Sequence, residues 1–145
     1  MSYSPNPAAS ISARKLATNY TNGSGVTLLK GMPVSTLASG LVTSIDVSDQ
    51  ASMDAFVGLY NQDTPNAASG QVVDSGRLEN FVTAFNVGDP IYVSKAGGLT
   101  NIPPSIGVAG FVAGDYCVFV GVIVVNEFNP LLKDIKILIE KVGDL

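Results

Sequence analysis

Histidine and tryptophan are absent from this 145-residue chain, and cysteine occurs once. Without histidine there can be no Ser-His-Asp or Cys-His catalytic site and no imidazole-ligated metal. With one cysteine, Cys117, a disulfide within the chain and a thiolate zinc site are both excluded. Cys117 lies in an apolar run and reads as a buried small hydrophobe rather than a catalytic thiol. Without tryptophan, a sugar-stacking platform would have to rest on tyrosines such as Tyr60, Tyr92 and Tyr116, which read better as core or interface residues.

Charge is also scarce. Charged residues make up 14% of the chain against 46% hydrophobic residues, where about a quarter charged is usual. Two explanations fit: a surface covered by a partner, or a compact β protein with Ser/Thr/Asn/Gly loops. The net charge of −4 is unevenly spread. Residues 1–45 hold Arg14, Lys15 and Lys30 and no acid, whereas residues 46–127 hold nine acids against Arg77 and Lys95. A basic N-terminal stretch and an acidic body can complement one another between subunits. The acidic body argues against nucleic-acid binding, which needs a basic footprint.

No basic stretch followed by an apolar one opens the chain, so no secretory signal is expected. The most apolar run, YCVFVGVIVV (Tyr116 to Val125), is about half the length that a membrane-spanning helix needs. No membrane partner is expected.

The acids form no recognisable site. Asp46, Asp49 and Asp54 cluster without the spacing or glycine of a calcium loop, and a solvated acidic loop explains them. NGSGV (Asn22 to Val26) lacks the lysine and the strand-to-helix setting of a phosphate loop, and reads as a hinge. Asp89 and Asp115 each follow a glycine, which is turn chemistry. No catalytic residue, metal or cofactor is therefore expected.

What is present is β grammar. Residues 1–22 read as an extended arm, because Pro5 and Pro7 resist helix and Ser, Asn, Ala and Thr dominate. From Val26 short apolar runs alternate with Gly and Pro turn signals about every ten residues, which predicts a small barrel or sandwich over 23–128. Tyr116 to Val125 should be a strand covered on both faces, one meeting the core and the other meeting a neighbouring subunit. Over 129–145 the period changes. Leu131, Leu132, Ile135, Leu138, Ile139 and Val142 recur at helical spacing, Asn129 suits an N-cap, Pro130 the first helical position and Gly143 the stop. The spacing predicts a short amphipathic helix. The rival is a strand, IKILIE, alternating at Ile135, Ile137 and Ile139.

One phrase occurs twice. LLKGMPVSTLASGLVT (Leu28 to Thr43) and FNVGDPIYVSKAGGLT (Phe85 to Thr100) align Gly31 with Gly88, Pro33 with Pro90, Val34 with Ile91 and Gly40 with Gly97. Leu41 falls one short of Leu99, and Thr43 lies near Thr100. An apolar-Gly-apolar step follows each copy, at Gly58 and at Gly107. Glycine two residues before proline makes a tight approach to a strand whose first residue lacks a donor. Two such units predict a domain built from similar halves.

KGMPV, GQVVDSGRLENF, GDPIYVSKAGGLT and the two glycine steps, in that order over residues 26–125, resemble the capsid decoration (cement) proteins and head-fibre proteins of tailed bacteriophages. The resemblance implies a β-rich, non-enzymatic virion protein on the outer surface of the head. It implies a homotrimer at threefold points and an N-terminal arm on the major capsid protein. On that basis Tyr3, Ile11, Arg14, Lys15 and Leu16 are the expected capsid contacts. Tyr116, Val118, Val120, Ile135, Leu138, Ile139 and Val142 are the expected oligomer interface. The alternative is a host- or glycan-binding β module on a fibre or spike, which predicts an exposed polar-aromatic groove. A hydrolase with paired carboxylates is the third class.

Overall fold

The computed structural model describes residues 17–145. The chain is mainly β, and its strands form two five-stranded antiparallel sheets rather than one closed barrel. Sheet one contains β1 (Ala17–Thr21), β2 (Pro33–Thr36), β3 (Val42–Ser44), β4 (Phe56–Tyr60) and β5 (Ser69–Val73), with a short helix α1 (Gln50–Asp54) before β4. Sheet two contains β6 (Gly76–Leu78), β7 (Pro90–Val93), β8 (Leu99–Thr100), β9 (Tyr116–Val125) and β10 (Lys133–Asp144). Asp74 and Ser75 alone join the two.

The sheet orders are β1-β5-β4-β2-β3 and β6-β10-β9-β7-β8. Each strand of the first half has a counterpart in the second, in the same place. The register repeats too. Pro33 faces Leu59, Val34 faces Gly58 and, after a bulge, Ser35 faces Phe56. Pro90 faces Val122, Ile91 faces Gly121 and, after a bulge at the same step, Tyr92 faces Phe119. Gly31 donates to the Tyr60 carbonyl at 2.7 Å and Gly88 to that of Ile123 at 2.8 Å. The β2–β3 turn closes through Leu37 N–H to Leu41 O at 2.7 Å, and the β7–β8 turn through Ser94 N–H to Gly98 O at 2.9 Å. Thr43 and Thr100 therefore coincide, and Leu99 matches Val42 rather than Leu41.

This register also corrects the glycine step. The counterpart of Gly58 is Gly121, not Gly107, and the repeated words are FVGLY and FVGVI. Both glycines are required by close approach. A Cβ on Gly58 would run into the Val73 carbonyl oxygen, and one on Gly121 into the Lys136 carbonyl oxygen. The bulge presses each strand against its neighbour's backbone there.

No C-terminal helix forms. Lys133 to Asp144 is β10, paired along its length with β9 from Lys133↔Val125 to Asp144↔Tyr116, with two register shifts. The physical reason is the partner. β9 offers a long ladder to a β-branched alternation, and Ile135 and Ile137 become 0% and 5% exposed. The helical pattern would have grouped Leu131 and Val142, which instead stay 89% and 60% exposed. The Asn129-Pro130 signal serves a turn: the Asn129 side chain accepts from Leu131 N–H at 3.0 Å, closing the β9–β10 hairpin.

The first sheet also enters the stretch read as an arm, since Ala17–Thr21 pairs with β5. NGSGV is a pinned turn rather than a hinge. Asn22 is buried, and its side-chain amide donates to the carbonyls of Val26 at 2.7 Å and Thr64 at 2.8 Å.

The main core lies between the sheets. Leu59 and Val73 of sheet one meet Ile91, Val93, Val118, Val120, Ile123 and Ile135 of sheet two, with Met53 and Phe111 filling in. A second cluster covers the far face of sheet one. There Val34, Val42, Tyr60 and Val72 pack with Leu28, which comes from the β1–β2 connection. Leu28 and Thr64 exchange backbone hydrogen bonds of 3.0 and 2.8 Å, locking that connection over the sheet.

Candidate functional site

Three features stand out: a groove, two buried ion pairs and an uncovered sheet face. The groove encloses about 690 Å³ between the β2–β3 hairpin, the Asp46–Ser52 segment and the β7–β8 turn at Lys95 and Ala96. Its walls are rich in hydroxyls, from Ser35, Thr36, Thr43, Ser44 and Ser52, and carry Asp46 and Asp49. No aromatic side chain lines it.

Much of this polarity is spent locally. Ser35 Oγ donates to the Ser52 carbonyl at 2.7 Å, and Asp46 N–H donates to Ser52 Oγ at 2.8 Å. Ser48 donates to Asp46 through both its hydroxyl and its N–H, which holds the Asp46 carboxyl below the usual range. Asp49 caps α1 by accepting from Ala51 N–H at 3.0 Å. Asp54 accepts from the Gln50 side chain at 2.9 Å. Among the described residues no group of three or more metal-ligating side chains occurs.

Lys95, at the groove's edge, turns away toward Asp115. Its Nζ donates to both carboxylate oxygens, at 2.8 and 2.7 Å, and Val112 N–H adds a third bond. The Lys95 hydrogen bonds hold the Asp115 carboxyl below its ordinary value. Asp89 accepts from Asn86 N–H at 2.9 Å and from the Asn101 side chain at 3.1 Å, which shapes the turn before β7.

The second ion pair fastens β6 to β10. Asp134 is 1% exposed. Burial opposes its charge, but donors on Asn126, Asn80 and Arg77 outweigh it and the carboxyl sits below the usual range. Arg77 Nη1 reaches Asp134 at 3.1 Å and also the Val125 carbonyl at 3.0 Å. Asn126 further accepts from Phe128 N–H and Asn129 N–H. This knot holds a hairpin tip that displays Phe128 and Leu131, 86% and 89% exposed.

The far face of sheet two has no covering among the described residues. Val118, Val120, Ile123 and Ile135 point into the core. The alternate positions Cys117, Phe119, Val122 and Val124 are half-buried and belong to no core cluster. Tyr92 and Phe119 meet edge to face, with centroids 5.5 Å apart. Burial raises the Cys117 thiol pKa.

Of the side chains expected at an oligomer interface, Val118, Val120 and Ile135 are wholly buried within their own chain. They have no surface to offer a partner. Tyr116 and Ile139 pack partly on the same core, and the Tyr116 hydroxyl donates to the Gln50 side chain. Leu138 and Val142 are 48% and 60% exposed. Tyr3, Ile11, Arg14, Lys15 and Leu16 lie outside the described residues. Half-buried Phe119 and Val122 line the outward face of sheet two, and exposed Phe128 and Leu131 stand at the hairpin tip. Phe119 and Val122 were not legible as outward residues, because in the matching word of the first half Phe56 packs into the core between the sheets.

Among the described residues no helix is long and apolar enough to cross a membrane. No protein-family model, curated protein or solved structure matches the chain.

Proposed function

We propose that this chain is a non-enzymatic structural protein of a bacteriophage virion. It binds the outer surface of the head and stabilises the capsid by bridging subunits of the major capsid protein. The observation that carries this proposal is the resemblance of the ordered motif set over residues 26–125, whose Gly-x-Pro strand starts and Gly-closed turns stand at matching places in the two halves.

The mechanism is linkage. A protein that binds the assembled shell and not its separated subunits stabilises the shell, by about 2.7 kcal/mol per site at a hundredfold excess over Kd. Many sites multiply that term against internal pressure. Copies gather as homotrimers where the shell is threefold. The segment at residues 1–16, with Arg14 and Lys15, is the proposed shell contact. It carries two positive charges where residues 17–145 carry six more acids than bases.

The test is co-sedimentation of the full chain with undecorated heads. Saturable binding at a fixed ratio to the major capsid protein is the expected result. Deleting residues 2–16 should abolish it while leaving the fold intact. Absence of binding by a folded full-length protein would overturn the proposal.

A further inference from the structure

The two sheets are stacked in the same sense, not face to face. Val34, Tyr60 and Val72 of sheet one point away from sheet two, into the Leu28 cluster. Their counterparts Ile91, Ile123 and Ile135 point toward sheet one, into the central core. The opposite face behaves correspondingly. Leu59 and Phe56 of sheet one pack on sheet two, while their counterparts Val122 and Phe119 face outward, half-buried and outside either core cluster, with no layer over them among the described residues. The repeat thus presents twice a face that holds an apolar sheet in one half and, among the described residues, nothing in the other.

That open face is marked by charge of both signs. Tyr92, Phe119 and Val122 form its apolar strip. On β10, Lys136 stands opposite Val122 and Glu140 opposite Phe119. Both are exposed, and neither joins an ion pair among the described residues. The face is therefore self-complementary under a half-turn. A head-to-tail stack of copies is blocked, because the only face that would fit, the far side of sheet one, is occupied by Leu28.

We propose that the open face of sheet two pairs with the same face of a second copy. The twofold axis passes between Lys136 and Glu140, so that each copy's Lys136 meets Glu140 of the partner subunit across a shared Tyr92–Phe119–Val122 strip. Such a contact is isologous and closes at two. The pairing concerns the free protein and stands whether or not the chain binds a shell.

Sedimentation velocity of the full chain tests it. The wild type should run as a dimer at micromolar concentration. Lys136→Glu and Glu140→Lys should each weaken association by about tenfold, through like-charge contact across the interface. An equimolar mixture of the two single variants should restore the dimer, because each then offers what the other lacks. The double variant should dimerise as the wild type does. Both sites are exposed, so circular dichroism should show an unchanged fold. A wild type that stays monomeric overturns the proposal. So does an oligomer other than a dimer, or a dimer whose stability ignores both charge variants.

Discussion

Leu59 and Val122 hold the same place in the two halves and have opposite fates. Leu59 is fully buried between the sheets, whereas Val122 looks out from the far side of sheet two. The strand order, bulge and turns around them are the same. The duplicated phrase therefore specifies a backbone, and the residues around it decide which face is covered. The face that carries Leu59 is covered by sheet two, and the matching face of sheet two, which carries Val122, has no such cover among the described residues. The opposite faces are covered by the Leu28 connection in the first half and by sheet one in the second, where Phe85, at the place of Leu28, packs on the central core.

The harshest way to break the comparison is to attack what the halves share. Gly121→Ala and Gly58→Ala each drive a methyl into a neighbouring carbonyl oxygen. Each should cost about 3 kcal/mol or more. Gly121→Ala should be the worse, because its Cβ would lie nearer the oxygen, to the point of preventing folding. Denaturant unfolding of both variants measures this. Equal, small effects would show that the bulges relax independently of the repeat.

The next test separates the halves. Leu59→Ala should cost about 2–5 kcal/mol, and Val122→Ala under about 1 kcal/mol, since only the first opens a cavity. Leu28→Ala should fall with Leu59→Ala. Thermal melts rank all three, and a Val122→Ala cost as large as that of Leu59→Ala would mean that the far face of sheet two is covered after all.

The smallest effect is an acid lability greater along β6 and β10 than along β1 and β5. Asp134 occupies the place that Gln71 holds in sheet one. Its folded pKa is depressed, so its contribution is present above the ordinary carboxylate value of about 4 and is lost as pH falls through the folded one. Asp115 acts in the same direction. Hydrogen exchange below about pH 4 should rise first along β6 and β10, and later along β1 and β5. Asp134→Asn should flatten that difference.

Much of the fold was legible in the residues. The β class, the turns at Gly40 and Gly97 and the long strand at Tyr116 to Val125 all follow from local grammar. Three things did not. In residues 129–145 the apolar residues satisfy both periods, and only the availability of β9 decides for strand. In the run 116–125 every residue is apolar, so alternation carries no signal, and interior Val118 and Val120 cannot be told from outward Phe119 and Val122. The covering of sheet one hangs on Leu28 and Asn22, whose partner Thr64 is far along the chain. The groove at Asp46 and Asp49 likewise joins the stretch Ser35–Ser52 to the distant turn at Lys95 and Ala96.

The strand neighbours also set how the molecule bears a load. Among the described residues β1 is bonded on one side only, along five residue pairs to β5. β10 has β9 along its length and β6 beside Ile135 to Ile137, and Leu145 is clasped by Asp115 and Gly114 through backbone bonds of 2.7 and 2.9 Å. A pull arriving through residue 17 meets a single edge ladder. One arriving through residue 145 is shared by two ladders and must shear them together. Tension would therefore strip the first strand long before it disturbed the last.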